Sequence, residues 1–109
     1  MTAETLASMV SLLGHDTQVV LSPRKAIESI QRSIPNLILL DLNMPGVNGL
    51  EVCRYIKRDP MVRETPVIII TAEDDPTVIE AAKEAGASGY LVKPVELDKL
   101  EMMLARELS

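Results

Sequence analysis

The stretch that decides the fold is residues 37–49, which read LILLDLNMPGVNG. It begins with four apolar residues, as a strand buried on both faces does, and continues into a loop dense in turn-forming residues. A second apolar run, residues 67–70 (VIII), precedes Thr71, and a third, residues 90–92 (YLV), precedes Lys93. Because these runs are apolar throughout rather than alternating, they predict parallel strands covered by helices.

Helical patterns separate these runs. The first helix is predicted from an apolar stripe at helical spacing, formed by Leu6, Met9, Val10 and Leu13. Ser22 before a proline predicts the start of the second helix, and Asp75 before a proline predicts the start of a later one. The second helix is expected to bury Ala26, Ile27, Ile30 and Ile34. A further strand is predicted over residues 18–21 (QVVL), between the first two helices.

The order of these elements indicates the fold class. Four strands separated by helices, with each strand apolar, predict an α/β fold in which a doubly wound parallel sheet is covered on both faces. The connections between its strands are expected to be right-handed crossovers. We therefore predict four strands and five helices in one domain over residues 1–109.

Composition excludes several classes of function. The chain has 16 acidic and 11 basic residues, a formal net charge of −5, which argues against a nucleic-acid-binding domain. Two Tyr and no Trp or Phe leave little for base stacking. The single Cys53 cannot form an internal disulfide, and no apolar run is long enough to cross a bilayer. We expect a cytoplasmic domain that binds neither membrane nor nucleic acid.

Three polar residues follow the apolar runs. Functional residues of an open parallel sheet gather just past the carboxyl ends of its strands. Asp41, Thr71 and Lys93 occupy those positions, which brings an acid, a hydroxyl and an ammonium to one edge. A carboxylate can act as the nucleophile toward a phosphoryl group, while the ammonium offsets charge on the phosphoryl oxygens and the hydroxyl donates to one of them. This combination predicts a phosphoryl-acceptor site.

Three segments carry a family resemblance. Residues 39–51 (LLDLNMPGVNGLE), 66–72 (PVIIITA) and 86–94 (GASGYLVKP) resemble bacterial response-regulator receiver domains, which are CheY-like. They occur in the order of that family and together cover nearly the whole chain. The resemblance implies a flavodoxin-like receiver fold with the sheet order 2-1-3-4-5.

The resemblance also implies a role for each site residue. Asp41 would be the phosphoacceptor, and Asn43 would offer its backbone carbonyl to Mg²⁺. Thr71 would be the switch hydroxyl, Tyr90 the switch aromatic, and Lys93 the lysine that pairs with the phosphoryl group. The donor would be a histidine kinase or a histidine phosphotransfer protein, and phosphorylation would switch the conformation of the domain. Since this chemistry is directed at the protein itself, we expect a signalling module rather than an enzyme.

The amino terminus departs from the family pattern. Residues 3–7 (AETLA) resemble the first helix of the family, so the strand that normally precedes it, with its acidic pair, is absent. We therefore expect an amino-terminally truncated receiver domain whose Mg²⁺ binding is weakened or lost. No substitute pair is found, because Asp74 and Asp75 lie in the loop past Thr71 and Asp75 is expected to cap a helix. The missing strand is central in the family's sheet, which leaves residues 18–21 without a neighbour.

Several alternatives remain open at this point. The gap can close into a four-stranded sheet, be filled by a partner chain, or leave the amino-terminal third poorly packed. Thr71 can simply cap residues 73–74, and Tyr90 can be a packing residue. The alternative function is a non-phosphorylated pseudo-receiver that acts as a protein–protein interaction module. A homodimer can form through the last strand and helix or by filling the place of the missing strand.

Overall fold

The computed structural model describes residues 1–44 and 46–108; Pro45, in the predicted loop after the first long apolar run, lies outside the described residues. The elements follow one another as α1 (Ala3–Leu12), α2 (Pro23–Arg32), β1 (Ile38–Asp41), α3 (Gly49–Arg58), β2 (Val67–Thr71), α4 (Pro76–Glu84), β3 (Gly89–Val92) and α5 (Leu97–Leu108). In this part of the chain, no helix is long and apolar enough to cross a membrane.

The three strands form one parallel sheet in the order β1-β2-β3. Asp41 of β1 is level with Ile70 of β2, and Thr71 of β2 is level with Val92 of β3. All three strands run in the same direction, so their carboxyl ends meet at one edge of the sheet. The predicted α/β class, the parallel sheet and the five helices are confirmed.

The central strand β2 divides the core into two clusters. Ile68 and Ile70 belong to one cluster and Val67 and Ile69 to the other, because successive side chains of a strand point to opposite faces. All four are 0% exposed, and each fully buried isoleucine contributes about 1.5–3 kcal/mol to folding.

Different helices supply the two clusters, which makes the sheet doubly wound. The first cluster consists of Leu6, Val10, Ile68, Ile70, Leu91, Val95, Leu100 and Leu104, from α1, the sheet, α5 and the segment between β3 and α5. The second consists of Cys53, Ile56, Val62, Val67, Ile69, Ala82 and Ala85, around α3, α4 and the opposite face.

The predicted strand over residues 18–21 was wrong. This segment has no regular secondary structure, although its β-branched residues favour a strand. A strand needs a neighbour to pair its backbone groups, and among the described residues no strand pairs with this segment. A side-chain hydrogen bond links the segment to α2: the Ser29 hydroxyl donates to Oε1 of Gln18 at 3.0 Å.

Strand β1 is half-buried rather than fully buried, which corrects a second expectation. Among the described residues, β2 is the one strand that pairs with it. The Ile38 N–H donates to the Pro66 carbonyl at 3.0 Å and the Leu42 N–H to the Ile70 carbonyl at 2.8 Å. Because alternate residues of a strand turn their backbone groups to opposite sides, those of Leu39 face the open side. Strand β1 is therefore an edge strand with an apolar sequence.

Helix α2 begins as predicted but packs less tightly than predicted. The Ser22 hydroxyl accepts from the Lys25 N–H at 3.2 Å and caps the helix. The helix contains no fully buried residue, and Ile34, just after it, is 47% exposed. Ile30 is the residue of α2 that packs, partly buried, against the second core cluster. The predicted buried face is incomplete because the sheet beneath α2 ends at β1.

Candidate functional site

The predicted site residues lie at the carboxyl edge of the sheet. Asp41 is the last residue of β1, Thr71 is the last residue of β2, and Lys93 directly follows β3. The Lys93 N–H donates to the Thr71 carbonyl at 2.7 Å and extends the pairing of β3 with β2 by one step. The backbone thus places the three residues on three neighbouring strands at one edge.

Asp41 and Lys93 are in direct contact. Nζ of Lys93 donates to Oδ2 of Asp41 at 2.8 Å, and the two side chains are only 15% and 13% exposed. By contrast, the side chains of the Arg24–Glu28 ion pair on α2 are 92% and 55% exposed. Because water screens a sheltered pair less, the attraction between Asp41 and Lys93 is stronger than that of a surface pair.

The second oxygen of Asp41 is held by its own loop. Oδ1 of Asp41 accepts from the Asn43 N–H at 2.8 Å, which is an Asx turn. Oδ1 of Asn43 in turn accepts from the Ala72 N–H at 2.6 Å. These two hydrogen bonds fix the carboxylate and tie the loop after β1 to the loop after β2. The side-chain contact of Asn43 was not predicted from the sequence, which suggested a role only for its backbone carbonyl.

Thr71 and Tyr90 have different surroundings. Thr71 is 2% exposed, and its hydroxyl oxygen accepts from the Glu73 N–H at 3.1 Å. This bond is the local capping arrangement that the sequence left open as an alternative to a switch role; the hydroxyl proton stays available to a second acceptor. Tyr90 lies on β3 level with Ile69 and is 37% exposed.

Gly49 shapes the loop that carries Asp41, a feature that sequence reasoning missed. It is buried at the start of α3, directly after the cap Asn48, whose Oδ1 accepts from the Glu51 N–H at 3.3 Å. A Cβ at Gly49 would lie 2.5 Å from Cδ2 of Leu42. The glycine therefore allows α3 to start close against the residue that follows Asp41. An Asn-Gly pair at a helix start was the available signal.

The acidic residues past β2 do not join Asp41. Glu73 and Asp74 are exposed, and Oδ1 of Asp75 accepts from the Thr77 N–H at 2.8 Å to cap α4, as predicted. Over residues 1–44 and 46–108 there is no group of three or more His, Cys, Asp or Glu that could hold a metal ion. Magnesium needs octahedral oxygen coordination, usually with one or two carboxylates and the oxygens of a phosphate. The lone Asp41 carboxylate, already paired with an ammonium, does not fit that requirement.

Known proteins are similar to this chain in sequence and in fold. The family model of the response regulator receiver domain matches residues 1–105. The DNA-binding response regulator MtrA of Mycolicibacterium paratuberculosis is 34% identical over 100 residues, which are 88% of this chain and 43% of MtrA. The transcriptional regulatory protein CrdR of Helicobacter pylori is 36% identical over 104 residues, 95% of this chain and 48% of CrdR. The chain thus spans less than half the length of these curated relatives.

Solved structures agree with the sequence comparison. A putative response regulator from Chloroflexus aurantiacus superposes with a TM-score of 0.91 at 28% identity, covering 97% of this chain and 87% of that one. The receiver domain of the sensor histidine kinase PA1611 from Pseudomonas aeruginosa, solved with a magnesium ion in its active-site cleft, gives a TM-score of 0.86 at 28% identity over 96% of this chain and 86% of its own.

Sequence, fold and site therefore lead to one family, whose members are generally signalling modules rather than enzymes. The flavodoxin-like architecture matches that of solved receivers, and Asp41 and Lys93 meet at the edge of the sheet where the order of the strands placed them. The chain belongs to the response regulator receiver domain family of two-component signalling.

Proposed function

We propose that this chain is a phosphoacceptor module in which Asp41 takes a phosphoryl group from the phosphohistidine of a histidine kinase or a histidine phosphotransfer protein. The observation that carries the proposal is the contact of 2.8 Å between Asp41 and Lys93 at the carboxyl edge of a receiver fold. A fixed carboxylate beside a fixed ammonium supplies a nucleophile and a counter-charge in one place. The unit is one receiver domain over residues 1–109.

The transfer balances as follows. A carboxylate oxygen of Asp41 attacks the phosphorus atom and forms a P–O bond, while the P–N bond of the donor breaks. Its electron pair stays on the imidazole nitrogen, which takes up a proton. The product is an acyl phosphate on Asp41 and a neutral histidine on the donor. Lys93 then faces a phosphoryl group of higher negative charge than the carboxylate that it faced before.

Thr71 and Tyr90 supply the switch in this proposal. The Thr71 hydroxyl has a proton to donate to a phosphoryl oxygen, and movement of the side chain toward that oxygen would lengthen its bond with the Glu73 N–H. Tyr90 lies on β3, level with Ile69 of β2 and two residues before Val92. Its side chain is partly exposed, which leaves it room to change its packing. The changed surface would be formed by β3 and α5, where we place contact with a downstream partner or with a second copy.

Intact-mass spectrometry with acetyl phosphate as donor tests the proposal. We expect the mass of one phosphoryl group to be added to the wild-type chain and to the Asp74→Asn control, which removes an exposed carboxylate nearby. The Asp41→Asn variant should show no adduct, because it lacks the nucleophile. The proposal is refuted if the wild-type chain forms no adduct with acetyl phosphate and none with a phosphorylated kinase. It is also refuted if Asp41→Asn still forms the adduct.

A second candidate function is a pseudo-receiver that binds partners without being phosphorylated. It is favoured by the lone carboxylate and by the open edge of β1, whose apolar side chains are only half-buried. Such an edge pairs readily with a strand of another chain. A concentration-dependent mass in analytical ultracentrifugation, unchanged in Asp41→Asn, would favour this function. In both cases we place the chain in the cytoplasm, and its net charge of −5 makes direct contact of this domain with nucleic acid unfavourable.

A further inference from the structure

The charge at the site is already balanced by a group of the protein itself. Asp41 carries one negative charge, and the ammonium of Lys93 lies 2.8 Å from its Oδ2 with both side chains sheltered from water. A Mg²⁺ ion bound to this carboxylate would sit about 2.0–2.1 Å from its oxygen, and therefore within a few ångströms of a like charge. In a sheltered place that repulsion is strong, since few water molecules screen it.

The other oxygen ligands around Asp41 are engaged as well. Oδ1 of Asp41 accepts from the Asn43 N–H, and Oδ1 of Asn43 accepts from the Ala72 N–H at 2.6 Å. A cation that recruited these oxygens would have to compete with the two hydrogen bonds that hold the loop. Few oxygen ligands are therefore left for an ion, and these are uncharged.

The acids that follow β2 do not offset this cost. The carboxylates that follow β2 in sequence are Glu73 and Asp74, both exposed, and Asp75, which caps α4. In the part of the chain that the structure describes, no acidic group of three or more residues surrounds Asp41. One carboxylate with one fixed ammonium adds up to a neutral site, whereas a divalent cation needs a negative one.

We infer that Asp41, whose one carboxylate is already balanced by the Lys93 ammonium, forms no magnesium site in the resting state with the residues that the structure describes. The inference concerns the same residues as the proposed function, but it holds whether or not Asp41 accepts a phosphoryl group. It sets this chain apart from the PA1611 receiver, which was solved with magnesium in its cleft.

Titration of the ¹⁵N-labelled chain with MgCl₂, without any phosphoryl donor, tests the inference. We expect no saturable shift of the Asp41 and Asn43 amide signals at millimolar Mg²⁺, and no selective broadening of these signals by trace Mn²⁺. A saturable response at these amides that disappears in Asp41→Asn would overturn the inference.

A pair of lysine variants tests the role of the ammonium. Lys93→Gln removes the ammonium but adds no second carboxylate, so we expect Mg²⁺ and Mn²⁺ to affect the Asp41 amide more than in the wild type, but only weakly. The control Lys99→Gln removes an exposed lysine of α5 that pairs with Glu96 and should behave like the wild type. If Lys93→Gln is as unresponsive as the wild type, Lys93 is not what balances Asp41, and the assignment is wrong. A folded spectrum of Lys93→Gln is the condition for reading the result.

The phosphorylation assay separates this inference from the proposed function. If both hold, the adduct forms on Asp41 while the amides of the resting wild-type chain stay unresponsive to Mg²⁺. An adduct that requires Mg²⁺, together with a saturable Mg²⁺ response of the resting Asp41 amide, would support the proposed function and overturn the inference. If no adduct forms while the amides of the wild-type chain stay unresponsive to Mg²⁺, the proposed function fails and the inference stands.

Discussion

Lys93 and Asp41 are 52 residues apart in the chain, yet Nζ of Lys93 lies 2.8 Å from Oδ2 of Asp41. Asp41 ends β1, one edge strand of the sheet, and Lys93 follows β3, the other edge strand. The contact therefore spans the sheet above the end of β2. It links the two outer strands through side chains, in addition to the pairing that each makes with the central strand.

This contact predicts a loss of stability when Lys93 is replaced. In the Lys93→Ala variant the sheltered Asp41 carboxylate keeps its hydrogen bond with the Asn43 N–H but loses the ammonium. Because a buried charge without its partner is costly, we expect the free energy of unfolding to fall by about 1–3 kcal/mol. Urea unfolding followed by circular dichroism measures the change. Lys99→Ala, at an exposed pair, should change it by less than about 1 kcal/mol. Equal effects of the two variants would show that the Asp41–Lys93 contact adds nothing beyond a surface pair.

Gly86 and Gly46 form a matched test of backbone geometry. Both have a positive φ, +100° and +73°, which side chains other than glycine rarely adopt. A Cβ at Gly86 would also lie 2.7 Å from Cγ of Lys57, whereas a Cβ at Gly46 would meet nothing within 4 Å. We expect the free energy of unfolding of both alanine variants to fall by about 1–2 kcal/mol because of the backbone conformation alone. That of Gly86→Ala should fall further because of the contact with Lys57.

The collision at Gly86 is costly because Lys57 is not free to move. Its ammonium donates to the carbonyls of Arg63 and Thr65, at 3.1 and 2.7 Å. Thermal unfolding of the two variants gives the comparison. If Gly46→Ala is the less stable of the two, the contact with Lys57 is not what distinguishes these positions.

Cys53 should be chemically inert in the folded protein. It is 0% exposed, and its thiol donates to the Ala85 carbonyl at 3.5 Å. Burial raises the pKa of the Cys53 thiol above its usual 9.0, against a smaller opposite effect of Lys57 and Arg54. Since the thiolate is the reactive form, we expect alkylation by iodoacetamide to be slow at neutral pH and fast in urea.

The same raised pKa has a consequence for stability. Above the pKa of the unfolded thiol, the unfolded chain loses the Cys53 proton while the folded chain keeps it, so stability falls as the pH rises through 9.0. Cys53→Ala removes this ionisation. The wild type should therefore lose more stability than Cys53→Ala between neutral and alkaline pH, measured by urea unfolding. Parallel losses in the two proteins would contradict the prediction.

The open edge of β1 predicts an alternating pattern of hydrogen exchange. The amides of Ile38 and Leu42 donate to the carbonyls of Pro66 and Ile70 and should exchange slowly. The amide of Leu39 faces the open side and should exchange fast. Exchange measured by NMR at low protein concentration gives the pattern for the single chain. Protection of Leu39 that appears only at high concentration would mean that a second copy covers the edge; protection at every concentration would contradict the open edge.

Much of the fold follows from local patterns in the sequence. The apolar run at residues 67–70 predicted a strand buried on both faces, and β2 is that strand because four successive branched apolar residues can be buried only between two layers of helices. The caps Ser22 and Asp75 predicted the starts of α2 and α4, since a cap acts within one turn of its own helix.

The sequence by itself thus determined the fold class, the receiver family and the strand ends where the site residues lie, because these depend on local patterns and on the geometry common to parallel sheets. Tertiary structure alone decided the rest. Residues 18–21 have the composition of a strand but no strand beside them, and β1 is half-buried because one of its sides is open. Pairing and burial depend on neighbours that are distant in sequence, and so does the balance of charge at Asp41, which rests on Lys93 from the far side of the sheet.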